Sequence, residues 1–455
     1  MQNTREIVLE ILMEIDRENG FSNTIIRQVL DKYNYLDKQD KAFIKRVAEG
    51  SVERRIELDY ILNQYSKVPV KKMKPLIRSL MRMSTYQLLY MDYVPDSAVC
   101  NEAVKLAEKR KFHSLKGFVN GVLRSIARSR EALLLPDPEK DKNISWKEAL
   151  SIKASMPMLI IDLWEADYGK EKTIEMANHL LDIKAVTIRM EETLEDTKRG
   201  ELEEAWKKQG VQVNRHPLIP YAYLCTGLES VTELPGFEEG LITVQDASSM
   251  LVTECAKIQK NDFVLDVCAA PGGKSFHALT KLAGTGTLQS RDVSEYKVDM
   301  IAQGFERIRA NGTKTSTLVW DARETDDSMR QKADVVYLDV PCSGLGIMGK
   351  KRDIKYHVTP ESLSEIVQLQ REIIKASFDY VKPGGTLMYS TCTVRKAENE
   401  EQVAWIVDNF PFELESLNPY LPSGLQNEQS EKGMLQLYPQ AHWDGFFLAR
   451  LRRKA

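Results

Sequence analysis

The stretch from Phe263 to Ser275, FVLDVCAAPGGKS, leaves a chain few folds to choose from. A short apolar run, Phe263-Val264-Leu265, ends in Asp266 and turns through Pro271-Gly272-Gly273 into a helical segment. That order is the opening unit of a nucleotide-binding α/β sheet, with the ligand at the carboxyl end of the strand. Adjacent glycines let backbone approach a ligand closely, and the first amides of the helix point back at it. The turn is neither GxGxxG nor GxxxxGK[ST], so a dinucleotide or nucleoside triphosphate is poorly supported.

A chain of 455 residues is too long for one ordinary core and implies two or three domains. Its apolar runs fall short of the roughly 18 residues that a membrane span needs. The first ten residues, MQNTREIVLE, lack the apolar centre of a signal peptide. Six cysteines are scattered without a CxxC pair, which points to a reducing cytosol and against disulfides or a metal site. The net charge of −3 hides an asymmetry. Residues 1–130 carry 24 Lys and Arg against 16 Asp and Glu, and the remainder carries 39 against 50. A basic front end on an acidic body suits contact with a polyanion, or else is a well-solvated helical surface.

Val8, Ile11, Leu12 and Ile15 form one apolar helical face, and Lys38–Leu62, Met73–Met91, Ala98–Arg110 and Leu115–Ala127 repeat the pattern. Residues 1–130 are therefore expected to be an all-α domain. Its cations cluster at Lys67, Lys71, Lys72, Lys74, Arg78 and Arg82, and again at Lys105, Lys109, Arg110, Lys111 and Lys116, which suits phosphate contacts. Residues 131–144, with two prolines and a charge run, look like a linker. Residues 145–240 begin with helical stretches and continue in βα alternation, a small α/β module. Residues 241–455 form the main domain.

There the alternation becomes regular. Strands are expected at Phe263–Cys268, Thr287–Asp292, Ser316–Asp321, Val335–Val340 and Thr386–Thr391, with helices at Lys274–Leu282, Glu295–Ala310 and Pro360–Val381. This predicts a doubly wound parallel sheet, with Leu435–Tyr438 and Phe446–Leu451 as an antiparallel hairpin at its edge. Asp292 stands 19 positions beyond Gly273, the distance at which an acid accepts ribose hydroxyls. Asp321 is placed for the adenine edge of the same ligand; either residue could instead cap the next helix. Cys342, in DVPCSG, and Cys392, in STCT, both follow ligand-side strand ends. Two thiols at one cleft are a poor choice for packing and a good one for covalent chemistry.

DVCAAPGGK, DVPCSG and STCT, in this order and at these separations, resemble the RNA cytosine-C5 methyltransferase family. A basic all-α domain in front and DGFF at Asp444–Phe447 make the chain similar to the bacterial small-subunit ribosomal RNA group within it. The resemblance implies an N-terminal domain like the antitermination factor NusB, a small α/β module, and a C-terminal Rossmann-like class I methyltransferase domain. It implies S-adenosylmethionine held by Cys268, Ala269, Ala270, Pro271, Gly272, Gly273 and Lys274, together with Asp292, Asp321 and Asp339. Cys392 would be the nucleophile, Cys342 would help release the product, and Asp339 would sit where cofactor and cytosine N3 meet. The implied partner is small-subunit ribosomal RNA, with no membrane, no metal, no obligatory protein partner and a monomeric chain. One departure concerns a family stretch ending RRHPDIKW. Here it is replaced by Lys350-Lys351-Arg352-Asp353-Ile354-Lys355-Tyr356, in which Lys350, Lys351 and Arg352 either grip phosphates or form a solvated loop.

The chemistry explains the residue types. Cytosine C5 is a poor nucleophile until a thiolate adds to C6 and makes C5 enamine-like, a task that suits cysteine. A stacked base is out of reach, so the target must be flipped or already single-stranded. Two competing readings are an RNA-binding assembly factor with a degenerate sheet, and the same enzyme acting on tRNA or DNA.

Overall fold

The computed structural model describes residues 3–18, 20–33, 35–181, 185–228, 230–308 and 312–455. The last two positions of the helix expected to end at Ala310 lie outside the described residues. The chain divides into two compact units, Met1–Leu181 with Lys350–Val358, and Asp182–Gly349 with Thr359–Ala455. The boundary falls at 181/182, so the helices after the 131–144 stretch group with the first unit.

The first unit is helical. Thr4–Glu18 buries Val8, Ile11, Leu12 and Ile15 as its periodicity requires. The segment expected as one helix over Lys38–Leu62 is two, Lys38–Glu53 and Arg55–Tyr65, broken at Arg54. Pro75–Tyr90, Asp96–Lys109 and Lys116–Arg128 follow, and then Trp146–Lys153, Met158–Tyr168 and Lys170–His179. Ser145 and Glu148 form a capping box at the start of Trp146–Lys153, satisfying amides that a helix leaves orphaned.

The cations of both clusters divide between pairing and exposure. Lys105, Lys109, Arg110 and Lys116 pair with Glu102, Glu6, Glu10 and Glu108, and Arg82 forks onto Asp59 at 2.7 Å. Lys67, Lys71, Lys72 and Lys111 are exposed and make no ion pair among the described residues.

The 350–358 segment belongs to this helical unit. Arg352 donates to Glu53 at 2.7 Å and lies 3.7 Å from Glu49. Asp353 accepts the Ser22 amide, and the Tyr356 hydroxyl sits 3.3 Å from Ser155 Oγ beneath the Arg55 guanidinium. Lys355 is buried, which pushes its ammonium down to about 7. Arg352 is thus paired and only partly exposed; acids some three hundred positions away in sequence hold it, beyond the reach of local reading.

The second unit holds two sheets. The small one runs β2–β3–β1–β4 and is antiparallel, with β1 Val186–Met190, β2 Gln212–Arg215, β3 Ala222–Thr226 and β4 Ile242–Val244. The large one comprises β5 Phe263–Asp266, β6 Thr287–Asp292, β7 Lys314–Val319, β8 Ala333–Asp339, β9 Val381–Thr391, β10 Phe412–Leu414, β11 Met434–Leu437 and β12 Phe446–Arg453. Its order is β10–β12–β9–β8–β5–β6–β7, with β11 also on β12. β5 to β9 pair in parallel. The expected antiparallel hairpin forms, β11 with β12, and joins the parallel strands through β12 against β9; β10 pairs with β12 as well, so the sheet is mixed. β12, with neighbours on both sides, is covered along nearly its whole length.

Alternate residues of each central strand enter opposite cores. Val264, Val335 and Tyr337 pack on one face with Ala278, Leu279 and Ile301; Leu265, Val336 and Leu338 pack on the other with Ile373, Ile374 and Ile406. Helices thus cover both faces and leave the strands' carboxyl ends as the place for a site. Among the described residues no helix is long and apolar enough to cross a membrane.

Candidate active site

At the carboxyl end of β5 the chain turns on Gly272, whose φ of 105° is left-handed, and whose missing Cβ would meet the Phe276 ring at 2.5 Å. The turn starts the helix Gly273–Leu282. Lys274 does not lie on the helix surface: it is buried, and its ammonium donates to Asp339 Oδ2 at 2.6 Å. Ser390 Oγ donates to Asp339 Oδ1 at 2.7 Å, so both oxygens of this carboxylate accept hydrogen bonds. The glycine turn, β8 and β9 therefore meet at Asp339.

Asp266 is fully buried. Ser275 Oγ donates to its Oδ2 at 2.7 Å, while Oδ1 has no partner. Burial pushes its carboxyl up to about 7, and Asp339 and Asp292 add to the rise. Burial also raises the Cys268 thiol well above the ordinary range, a setting for size and not reactivity. Asp292, at the end of β6, accepts the Ser294 amide at 3.1 Å and lies 3.6 Å from Lys297. Asp321 accepts the Arg323 amide and guanidinium, which holds its carboxyl below the usual range. Both acids stand at strand ends and both also fix the turn behind them.

Cys342 and Cys392 come together from positions 50 apart, with their sulfurs at 2.9 Å. The Cys392 amide lies 3.3 Å from Cys342 Sγ, and Ser343 Oγ lies 2.8 Å from Thr393 Oγ1, so each loop is tied to the other one residue past its cysteine. A third loop locks them. The Gly346 amide donates to Cys392 O at 3.1 Å and the Gly445 amide to Gly346 O at 2.9 Å. A Cβ on Gly346 would meet Gly445 O at 2.0 Å, so only glycine allows this approach. Phe446, next to Gly445, presents its ring 5.2 Å from the Lys274 ammonium.

Behind the pair stands Glu398, fully buried. Its Oε2 accepts the Ser343 amide at 2.8 Å and Gln370 Nε2 at 3.2 Å, and its Oε1 accepts Arg395 at 3.1 Å. Gln370 Nε2 also donates to Pro341 O at 2.9 Å. Asn399 accepts Thr391 Oγ1 and donates to Thr393 O, holding the other loop. The Cys342 thiol is driven well above the ordinary range by its hydrogen bond to Cys392, by burial and by Glu398. Both cysteines keep partial exposure, whereas Cys100, Cys225 and Cys255 are buried.

Sequence reading missed Asp266, Ser390, Gln370 and Glu398. Asp266 and Ser390 open the motifs DVCAAPGGK and STCT and were within reach; Gln370 and Glu398 look like ordinary polar helix and turn residues. Apart from the site, Glu192, Glu254 and His277 bring ligand-type atoms within 4.8 Å of one another. The Lys281 ammonium already bridges the two carboxylates, at 2.7 and 2.8 Å.

Residues 254–452 match the family described as 16S rRNA methyltransferase RsmB/F, and residues 2–128 match the NusB family. A probable ribosomal RNA small subunit methyltransferase B of Bacillus subtilis (strain 168) is 33% identical over 99% of this chain and 99% of its own. The chain belongs to the RsmB/F family of 16S rRNA methyltransferases. Among solved structures, that of PH0851 shares the fold with a TM-score of 0.78, at 23% identity over 100% of this chain and 99% of its own. NSun6 from Pyrococcus horikoshii with SFG has a TM-score of 0.55 at 21% identity, covering 66% of this chain and 98% of its own. Family and fold thus stand as the resemblance implied, a NusB-like helical domain before a Rossmann-like methyltransferase domain.

Proposed function

We propose that this chain transfers a methyl group from S-adenosylmethionine to C5 of a cytosine in small-subunit ribosomal RNA through a covalent Cys392–C6 adduct. The observation that carries the proposal is the pair of free sulfurs at 2.9 Å, at the strand ends where Lys274 and Asp339 meet.

The residues present fit the methyl donor. The unpartnered Oδ1 of buried Asp266 suits a cationic amino-acid portion, the Cβ-less turn at Gly272 suits close backbone approach, and Asp292 and Asp321 suit ribose and base. The neighbour with SFG, a name used for an S-adenosylmethionine analogue, supports the same ligand class. When bound, S-adenosylmethionine supplies an electrophilic methyl group on a sulfonium.

Cys392 thiolate bonds to C6, and the electron pair of the C5–C6 double bond moves toward the ring. Asp339 meets N3, where negative charge develops and a proton on its carboxyl would offset it; the Lys274 ammonium, hydrogen-bonded to Oδ2, holds that carboxyl in place. C5 would take up the methyl group as the donor's sulfur–methyl bond breaks, its electron pair staying on sulfur. Cys342, as thiolate, then removes the C5 proton; the C5–C6 double bond re-forms and the S–C6 bond breaks, returning Cys392 as thiolate. The site is built from one chain, two working thiols suit a reducing compartment, and the helical domain supplies the RNA contact.

Cys392→Ala is expected to abolish methyl transfer to small-subunit rRNA, measured with labelled methyl donor. Cys342→Ala is expected to accumulate a covalent enzyme–RNA species resolved on a denaturing gel. Normal turnover by Cys342→Ala with no trapped species would overturn this division of roles.

A further inference from the structure

Two chemically identical thiols in contact pose a question that motif order does not answer: what makes one the attacking sulfur and the other its partner? The loops around them are nearly symmetric. Each cysteine follows a strand end, and the residue after each is tied to the residue after the other, Ser343 to Thr393. The asymmetry lies behind them. Glu398, with no exposed surface, belongs to the short turn after Cys392 but aims its carboxylate at the other loop, at the Ser343 amide directly beyond Cys342. Gln370 spans Glu398 Oε2 and Pro341 O, so the residues on both sides of Cys342 are held from the carboxylate's side.

Such a charge does two things to Cys342. It takes up an amide that would otherwise be available near the sulfur, and it places negative charge beside a group that would itself become negative on ionising. Among the described residues no acid hydrogen-bonds to Thr391 or Thr393 on either side of Cys392, where neutral Asn399 holds both. Arg395 is the one cation hydrogen-bonded to Glu398 among the described residues, and its Nη1 also donates to Leu363 O at 3.2 Å.

We propose that Glu398 is a positioning residue that decides which of the two thiols attacks: it fixes the Cys342 loop through Ser343 and keeps Cys342 as the hydrogen-bond donor to the Cys392 sulfur. This rests on the reading of Cys392 as nucleophile. Once Cys392 is bonded to C6 it carries no charge, the hydrogen bond that retained the Cys342 proton is lost, and that proton leaves to solvent. Cys342 is then ionised at the stage when a base must take the C5 proton.

The test isolates Cys342 in a Cys392→Ala background and follows its alkylation by iodoacetamide against pH, by mass spectrometry of its own peptide. Glu398→Gln retains an oxygen for the Ser343 amide but removes the charge, and is expected to lower the midpoint by about one pH unit. Arg395→Gln leaves the carboxylate uncompensated and is expected to raise it. Gln370→Ala loosens Pro341 with the charge intact; it is expected to slow turnover of the otherwise unaltered enzyme without moving the midpoint. A midpoint unmoved by the first two substitutions, or moved the wrong way, overturns the inference. If Glu398→Gln does not fold, Arg395→Gln alone decides. The underlying reading fails by a different result, methylation that survives Cys392→Ala.

Discussion

Asp266 stands in an environment far from what a carboxylate prefers. A carboxyl with no exposed surface, one serine donor and two further acids nearby binds its proton more tightly folded, at about 7, than in the unfolded chain, near 3.9. Its contribution therefore favours the fold fully below pH ~4 and is lost as pH rises through about 7. The integrated difference is on the order of 4 kcal/mol. Asp266→Asn is expected to flatten the fall in thermal midpoint between pH 5 and pH 8; an equally steep fall in the variant would place the strain elsewhere. The same variant should bind S-adenosylmethionine more weakly by calorimetry, because it cannot offer a negative oxygen to a cationic ligand.

Among elements, the segment 350–358 shows how one piece of chain completes another. The helix Ser22–Lys32 begins after Phe21, which has no side chain able to cap it. Asp353 supplies the missing acceptor at the Ser22 amide from 331 positions away. Asp353→Ala is expected to lower the stability of the helical unit by about 1–2 kcal/mol, read from chemical unfolding followed by circular dichroism. Lys355 works in the opposite sense. Its ammonium is pushed down to about 7 by burial, so the fold loses stability as pH falls from Lys's ordinary range toward 7. Lys355→Met is expected to stabilise the protein, more at pH 6 than at pH 9. The loop is thus held by specific partners that could not be read from its basic composition.

Across the whole molecule, the surplus of cations in the first 130 residues is divided between pairing and exposure. Lys109 neutralises Glu6, whereas Lys71 and Lys72 face solvent with no ion pair among the described residues. If the front domain meets RNA, Lys71→Gln with Lys72→Gln is expected to weaken rRNA binding and reduce the slope of log affinity against log salt by about 2. Lys109→Gln should leave that slope unchanged. Filter binding across a salt series separates the two.

Much of this was legible because it is local. Strand, glycine turn and helix at Phe263–Ser275 follow from residue order, and acids or cysteines just beyond apolar runs mark the ligand side of a parallel sheet. The helix Ser22–Lys32 and the break at Arg54 were not legible, because their signals lie in Asp353 and in packing between helices. The β11–β12 hairpin was legible, but strand periodicity does not say that β12 also takes β10 as a neighbour. At the site, DVPCSG and STCT identified the two thiols but not their separation, which depends on β8 and β9 lying side by side and on Gly346 against Gly445.

By itself, then, the order of residues determined which chemical groups the chain carries and which strand ends present them, since both depend on neighbours a few bonds apart. Only tertiary structure decided that the two sulfurs touch, that Lys274 reaches Asp339, and that buried Glu398 stands behind one thiol and not the other. Those are distances and burial, set by long-range pairing, and electrostatic effects on a thiol depend on both.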